Sequence, residues 1–128
     1  MSYVSFTILT TDAKELRDRL VAYGWLTIKN GARIWKEGVE VAEVPNPIAG
    51  DLRRVFLVKI AHQALRDDTE GEQQTDAQGN LKSILLRTKL GKFVAANSIA
   101  DTVDGFPARR LGTKFWLVPN ADRFGVWQ

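Results

Sequence analysis

Arg109, Arg110 and Lys114 place three cations within six residues, just after the Gly105-Phe106-Pro107 break. Guanidinium groups offer paired donors to carboxylates and phosphates, and an ammonium adds a compact point charge. The cluster belongs to a basic C-terminal third. Residues 80–128 carry eight cations against Asp101, Asp104 and Asp122, a surplus of five on a chain whose net charge is +3. Lys89 and Lys92, with Lys82 and Arg87, extend the positive set toward the middle of the chain. Phe93, Phe106, Phe115, Trp116, Phe124 and Trp127 interleave with it. Cations neutralise phosphates and aromatic rings stack on bases, so this mixture suits a polyanion. Trp127 is the aromatic expected to anchor a partner or subunit contact, whereas Trp116 is expected in the core.

Other chemistry is sparse. His62 is the one histidine, and it follows an apolar run without a partner that spacing would supply. With no cysteine and one histidine, a zinc site lacks its ligands. Asp67, Asp68, Glu70, Glu72 and Asp76 offer hard oxygens, but without the alternating spacing and closing glutamate of a calcium loop. They read as a solvated hairpin tip. Gly105, Gly112 and Thr113-Lys114 have the wrong spacing and order for a phosphate loop. No catalytic residue, metal or cofactor is assigned, and a non-enzymatic role is the expectation.

The elements that position these residues follow from periodicity. Val4, Phe6 and Ile8 alternate with Ser5 and Thr7, as in a half-buried strand. Asp12 caps a helix with Glu15 three residues on, Leu16, Leu20 and Tyr23 form its apolar face, and Gly24 ends it. Trp25 to Val44 reads as a three-stranded meander. Asn30-Gly31 supplies a two-residue turn that sets Ile28 opposite Arg33 and Leu26 opposite Trp35. A second turn falls at Glu37-Gly38, and Pro45 and Pro47 end the segment. The nearly continuous apolar run Arg54 to Ala61 predicts a central strand.

Residues 67–80 then form an exposed acidic loop, and Leu81 to Lys89 another strand. Phe93, Ala96, Ile99 (or Ala100) and Val103 follow helical spacing. Phe115–Val118 and Phe124–Trp127 read as a closing hairpin. The order of helix, break, short Pro107–Leu111 segment and hairpin is similar to that of a winged-helix DNA binder. In that arrangement Arg109 and Arg110 meet phosphates or guanine edges.

At 128 residues, with 45% hydrophobic and 26% charged residues, the chain suits one globular domain. Met1 to Phe6 lacks the features of a signal peptide, and no apolar run nears the ~18 residues a membrane helix needs. The expectation is a single cytoplasmic α+β domain over 1–128. Its mostly antiparallel sheet carries two helices and the exposed loop at about 67–80. Functionally it reads as a small protein-interaction module, an assembly subunit or inhibitor of the kind phages and mobile elements encode. A protein partner or self-association is expected. The alternative is a nucleic-acid-binding module that uses the basic C-terminal third.

Overall fold

The computed structural model describes residues 3–22, 24–61 and 98–118 together with Phe124. They build an α+β unit dominated by its sheet. The chain forms β1 (Tyr3–Thr10), α1 (Ala13–Ala22), β2 (Leu26–Lys29), β3 (Ala32–Trp35), β4 (Val39–Val44) and β5 (Arg54–Ala61). After the undescribed stretch come β6 (Ser98–Val103), β7 (Phe106–Leu111) and β8 (Phe115–Val118). Six strands lie in the order β4-β5-β1-β8-β7-β6, and β2 and β3 form a separate ribbon. Every pairing among the described strands is antiparallel.

β1 sits between β5 and β8 and is covered by a core on each face of the sheet, so its alternation does not leave one face wet. Phe6 and Ile8 face the helix, Thr7 and Leu9 the opposite side, and all four are buried. The half-buried strand of the sequence reading is therefore an internal one. β5 behaves as expected, with Val55 to Val58 buried in an unbroken run between β4 and β1.

Local chemistry fixes α1. Asp12 Oδ1 accepts the Glu15 amide at 3.0 Å, and Thr10 Oγ1 accepts that of Asp12 at 2.9 Å. At the other end Gly24 takes a φ of 83°. Its amide donates to the Val21 carbonyl, and the Trp25 amide donates to that of Leu20. This is a Schellman ending, completed by packing of Trp25 and Leu20 in one buried cluster.

Asn30 and Gly31 both have positive φ, and the ribbon pairs Leu26 with Trp35 and Ile28 with Arg33, as the turn requires. The expected meander stops there. β4 pairs with β5 and not with β3, which delivers Val39 and Val41 to the core beside Phe56 and Val58.

A second correction concerns residues 98–111. Ile99, Ala100 and Val103 lie in a strand, not a helix, and Pro107 to Leu111 lie in the strand that follows. Asp104 and Gly105 both have positive φ, the same two-residue turn chemistry as Asn30-Gly31, and it folds β6 against β7. Val103 and Phe106 close that turn, so the Pro107 nitrogen points away from β6, and β8 reaches only to Arg109. The proline therefore removes no ladder bond. A recognition helix is absent from this stretch, so the winged-helix order of elements does not hold for it.

Two cores flank the sheet. Phe6, Phe56, Ile60 and Leu117 pack beneath α1 and the β2–β3 ribbon with Leu16, Leu20 and Trp25. Leu9, Val55, Leu57, Val103 and Val118 pack on the other face with Phe124. Phe115–Val118 is a strand as expected, and its described partners are β1 and β7. Phe93, Ala96, the 67–80 loop, the Leu81 to Lys89 strand, His62 and most of the closing-hairpin partner lie outside the described residues. Among the described residues no helix is long and apolar enough to cross a membrane.

Candidate functional site

Strand alternation separates the cations that the sequence groups together. Arg109 is opposite Leu117 and shares the α1 side of the sheet, while Arg110 is opposite Trp116 on the other side. Arg110 Nε lies 3.6 Å from Asp101 Oδ2, which also accepts the Trp116 indole N–H at 3.1 Å. The Arg53 guanidinium stacks over Trp116 at 4.6 Å and is itself gripped by Asp51, through Nε at 2.9 and 3.0 Å. Those bonds hold the Asp51 carboxyl at about 2. The Thr102 amide, then Trp116 and Arg110, hold Asp101 below the usual carboxylate range. Arg110 thus belongs to a chain of contacts that ties the β4–β5 connector to β6, β7 and β8.

Lys114 is used in another place. Its Nζ donates to Glu15 Oε2 at 3.1 Å and Asp12 Oδ2 at 3.2 Å, and its carbonyl accepts the Thr11 amide. The two carboxylates raise the Lys114 pKa, Glu15 contributing most; Lys114 lowers that of Glu15 in return, while the Glu15 amide and then Lys114 lower that of Asp12. The β7–β8 turn is thereby latched to the start of α1. Among the described residues Arg109 makes no ion pair. Lys89, Lys92 and Trp127 lie outside them.

The structure instead gathers charge at a place the sequence reading missed. A cleft of about 210 Å³ opens between α1, the β2–β3 ribbon, β4 and β5. The helix contributes one flank, Ala13, Leu16, Arg17 and Leu20, at the i, i+3, i+4, i+7 spacing of a single face, with Lys14 beside it. The ribbon adds Leu26, Arg33 and Trp35. Arg33 faces this way because the Asn30-Gly31 register puts it on the same side as Trp35. Alternation brings Val41 and Glu43 from β4 and Arg54 and Phe56 from β5.

The floor is apolar and the rim carries four cations, Lys14, Arg17, Arg33 and Arg54, against the single carboxylate of Glu43. Arg54 binds Glu43 through two bonds of 2.6 Å and stacks over Phe56 at 5.6 Å. That bidentate pair, mainly by hydrogen bonding, lowers the Glu43 pKa and raises that of Arg54. Arg17 makes a 3.4 Å contact with Asp18, and its Nε is shielded from solvent without an acceptor. Among the described residues Lys14 and Arg33 have no ion-pair partner, so two rim cations are left over once Arg17 meets Asp18 and Arg54 meets Glu43.

This arrangement can hold an anion beside an apolar group. It contains no nucleophile paired with a base, and among the described residues no group of three His, Cys, Asp or Glu side chains could hold a metal ion. Two sequence features bear on the cleft without locating it: the register that sets Arg33 on the same side as Trp35, and the Lys14–Arg17 spacing on α1. Compared with known protein families, with curated proteins and with solved structures, the chain matches none.

Proposed function

We propose that this chain is a non-enzymatic protein-interaction module that receives an acidic segment of a partner protein in the cleft between α1, the β2–β3 ribbon, β4 and β5. The observation that carries the reading is the imbalance at the rim, four cations to one carboxylate above an apolar floor. Size supports a side-chain ligand. At about 210 Å³ the cleft has room for about seven waters' worth of volume, below the ~300 Å³ where small-molecule pockets begin.

Extent favours protein over nucleic acid. The helical flank from Ala13 to Leu20 spans about 10 Å at 1.5 Å per residue. A single-strand binder tracks a phosphate backbone over roughly four or more nucleotides. The nucleic-acid reading of the C-terminal third retains Arg109, Lys89 and Lys92 as its candidate residues. Within the proposal the chain acts in the cytoplasm, as an assembly subunit or small inhibitor of phage or mobile-element type.

The test is calorimetry with an eight-residue peptide alternating valine and aspartate, its valine–lysine counterpart, and a single-stranded oligonucleotide. The acidic peptide is expected to bind and to weaken as salt shortens the Debye length from about 10 Å at 0.1 M to about 3 Å at 1 M. Binding of the oligonucleotide in its place, or of neither, overturns the reading.

A further inference from the structure

We infer that the partner segment binds as an added β-strand on the outer edge of β4, with alternate side chains entering the cationic cleft. The inference rests on the reading above and specifies its geometry. β4 is the outermost strand of the six-stranded sheet. The Ala61 amide donates to the Gly38 carbonyl at 2.8 Å, which fixes the phase of the β4–β5 ladder. In an antiparallel pair hydrogen-bonded and non-hydrogen-bonded positions alternate. Glu40, Ala42 and Val44 therefore bond inward to Lys59, Leu57 and Val55. Val41 and Glu43 point their amides and carbonyls outward.

The same two residues line the cleft. Their outward backbone groups and their cleft-facing side chains coincide, and among the described residues no strand covers this edge, with Glu40, Ala42 and Glu43 exposed and Val41 half-buried. Among the described residues no backbone bond reaches the outward groups of Val41 or Glu43. An incoming strand would satisfy them, the mode of recognition used where peptides extend a sheet.

Charge selects the occupant. A second copy pairing edge to edge would bring two cationic rims together. An acidic segment instead meets Arg33 and Arg17, while Glu43 is already neutralised by Arg54. Three strand residues at about 3.4 Å each match the ~10 Å flank of α1, so two side chains face the cleft. In an alternating valine–aspartate strand one face carries only carboxylates, so both are aspartates, one beside Val41 and one beside Glu43, turned toward the cationic rim. Glu40, on the opposite side of β4, lies across from Lys59 and takes no part.

The experiment compares the valine–aspartate peptide with a version N-methylated at alternate amides, which keeps every charge but cannot pair along one edge. Methylating the pairing set of amides is expected to lower affinity by about tenfold, the loss of two or so backbone bonds. The amides of Val41 and Glu43 are expected to gain about tenfold protection from hydrogen exchange with the unmethylated peptide. Val41→Pro removes an outward N–H and no ladder bond, so it is expected to weaken the unmethylated peptide on a sheet that still folds. Equal affinity of both peptide forms, in both methylation phases, without protection at Val41 and Glu43 overturns strand addition while leaving the cleft reading in place. Failure of both forms to bind overturns both readings. A dimer in light scattering with Val41 already protected overturns the choice of partner.

Discussion

The β6–β8 region and the cleft beside α1 make opposite use of arginine and lysine. In β6–β8 cations that are close in sequence are distributed to opposite faces of the sheet, and two of them end against carboxylates. Arg110 contacts Asp101, and Lys114 bridges Asp12 and Glu15. At the cleft, cations spread from position 14 to position 54 converge around one carboxylate. Charge density along a chain thus measures little until alternation and packing have sorted it. What matters for binding is the charge left over after the fold has satisfied its own contacts.

The comparison can be broken most forcefully at the cleft. Replacing both Lys14→Glu and Arg33→Glu takes the rim from four cations to two and its carboxylates from one to three. Affinity for the valine–aspartate peptide is expected to fall about a hundredfold, roughly a factor of ten for each charge pair, by calorimetry. The matching Arg110→Glu and Lys114→Glu pair is expected to leave that affinity unchanged and to lower the melting temperature instead.

Next in size is the stack in the β6–β8 region. Trp116→Ala removes a half-buried ring, the platform beneath Arg53 and the donor to Asp101. It is expected to lower unfolding free energy by about 2 kcal/mol, less than a fully buried tryptophan, with peptide affinity unaffected. A loss of peptide binding there would erase the distinction between the two regions.

A pH dependence sharpens the same point. Arg53 holds the Asp51 carboxyl at about 2 in the fold, against ~3.9 in an unfolded chain. The unfolded state then binds more protons in this window, so the contribution is complete above pH about 4 and disappears as pH falls toward 2. Denaturation midpoints of the wild type are expected to decline more steeply there than those of Asp51→Asn. The smallest effect belongs to Lys114→Gln. Its contacts are solvent-exposed, and exposed ion pairs contribute little, so its melting temperature is expected to move least of the series and to respond slightly less to salt than that of the wild type.

Much of the frame was legible in the sequence because short-range chemistry dictates it. Asp12 with Glu15 marks the start of α1, Gly24 its end, and Asn30-Gly31 fixes a register that a one-residue slip would invert. The β6–β7 hairpin was not legible for an instructive reason. Ile99 and Val103 are four apart, and with Phe93 and Ala96 they imitate a helical face. In the strand they share one side with Asp101, whose carboxylate interrupts the apolar alternation. Asp104-Gly105 carries the hairpin signal but equally suits a break after a helix, an ambiguity inherent in a residue pair that favours positive φ in either setting. Arg54 was legible as the head of a central strand but not as a partner of Glu43. That pairing depends on β4 joining β5 across an intervening connector, a choice made by burial of Val39 and Val41. The cleft shares this origin: no local rule brings α1, β3 and β5 together.

The most direct test of the account is a nuclear magnetic resonance titration of the whole chain with the valine–aspartate peptide, following backbone amides in both regions at once. The account predicts saturable shifts centred on Lys14, Arg33, Val41 and Glu43, with Arg109, Arg110 and Lys114 unmoved. Shifts centred on Arg109, Arg110 and Lys114, with the cleft silent, would contradict it.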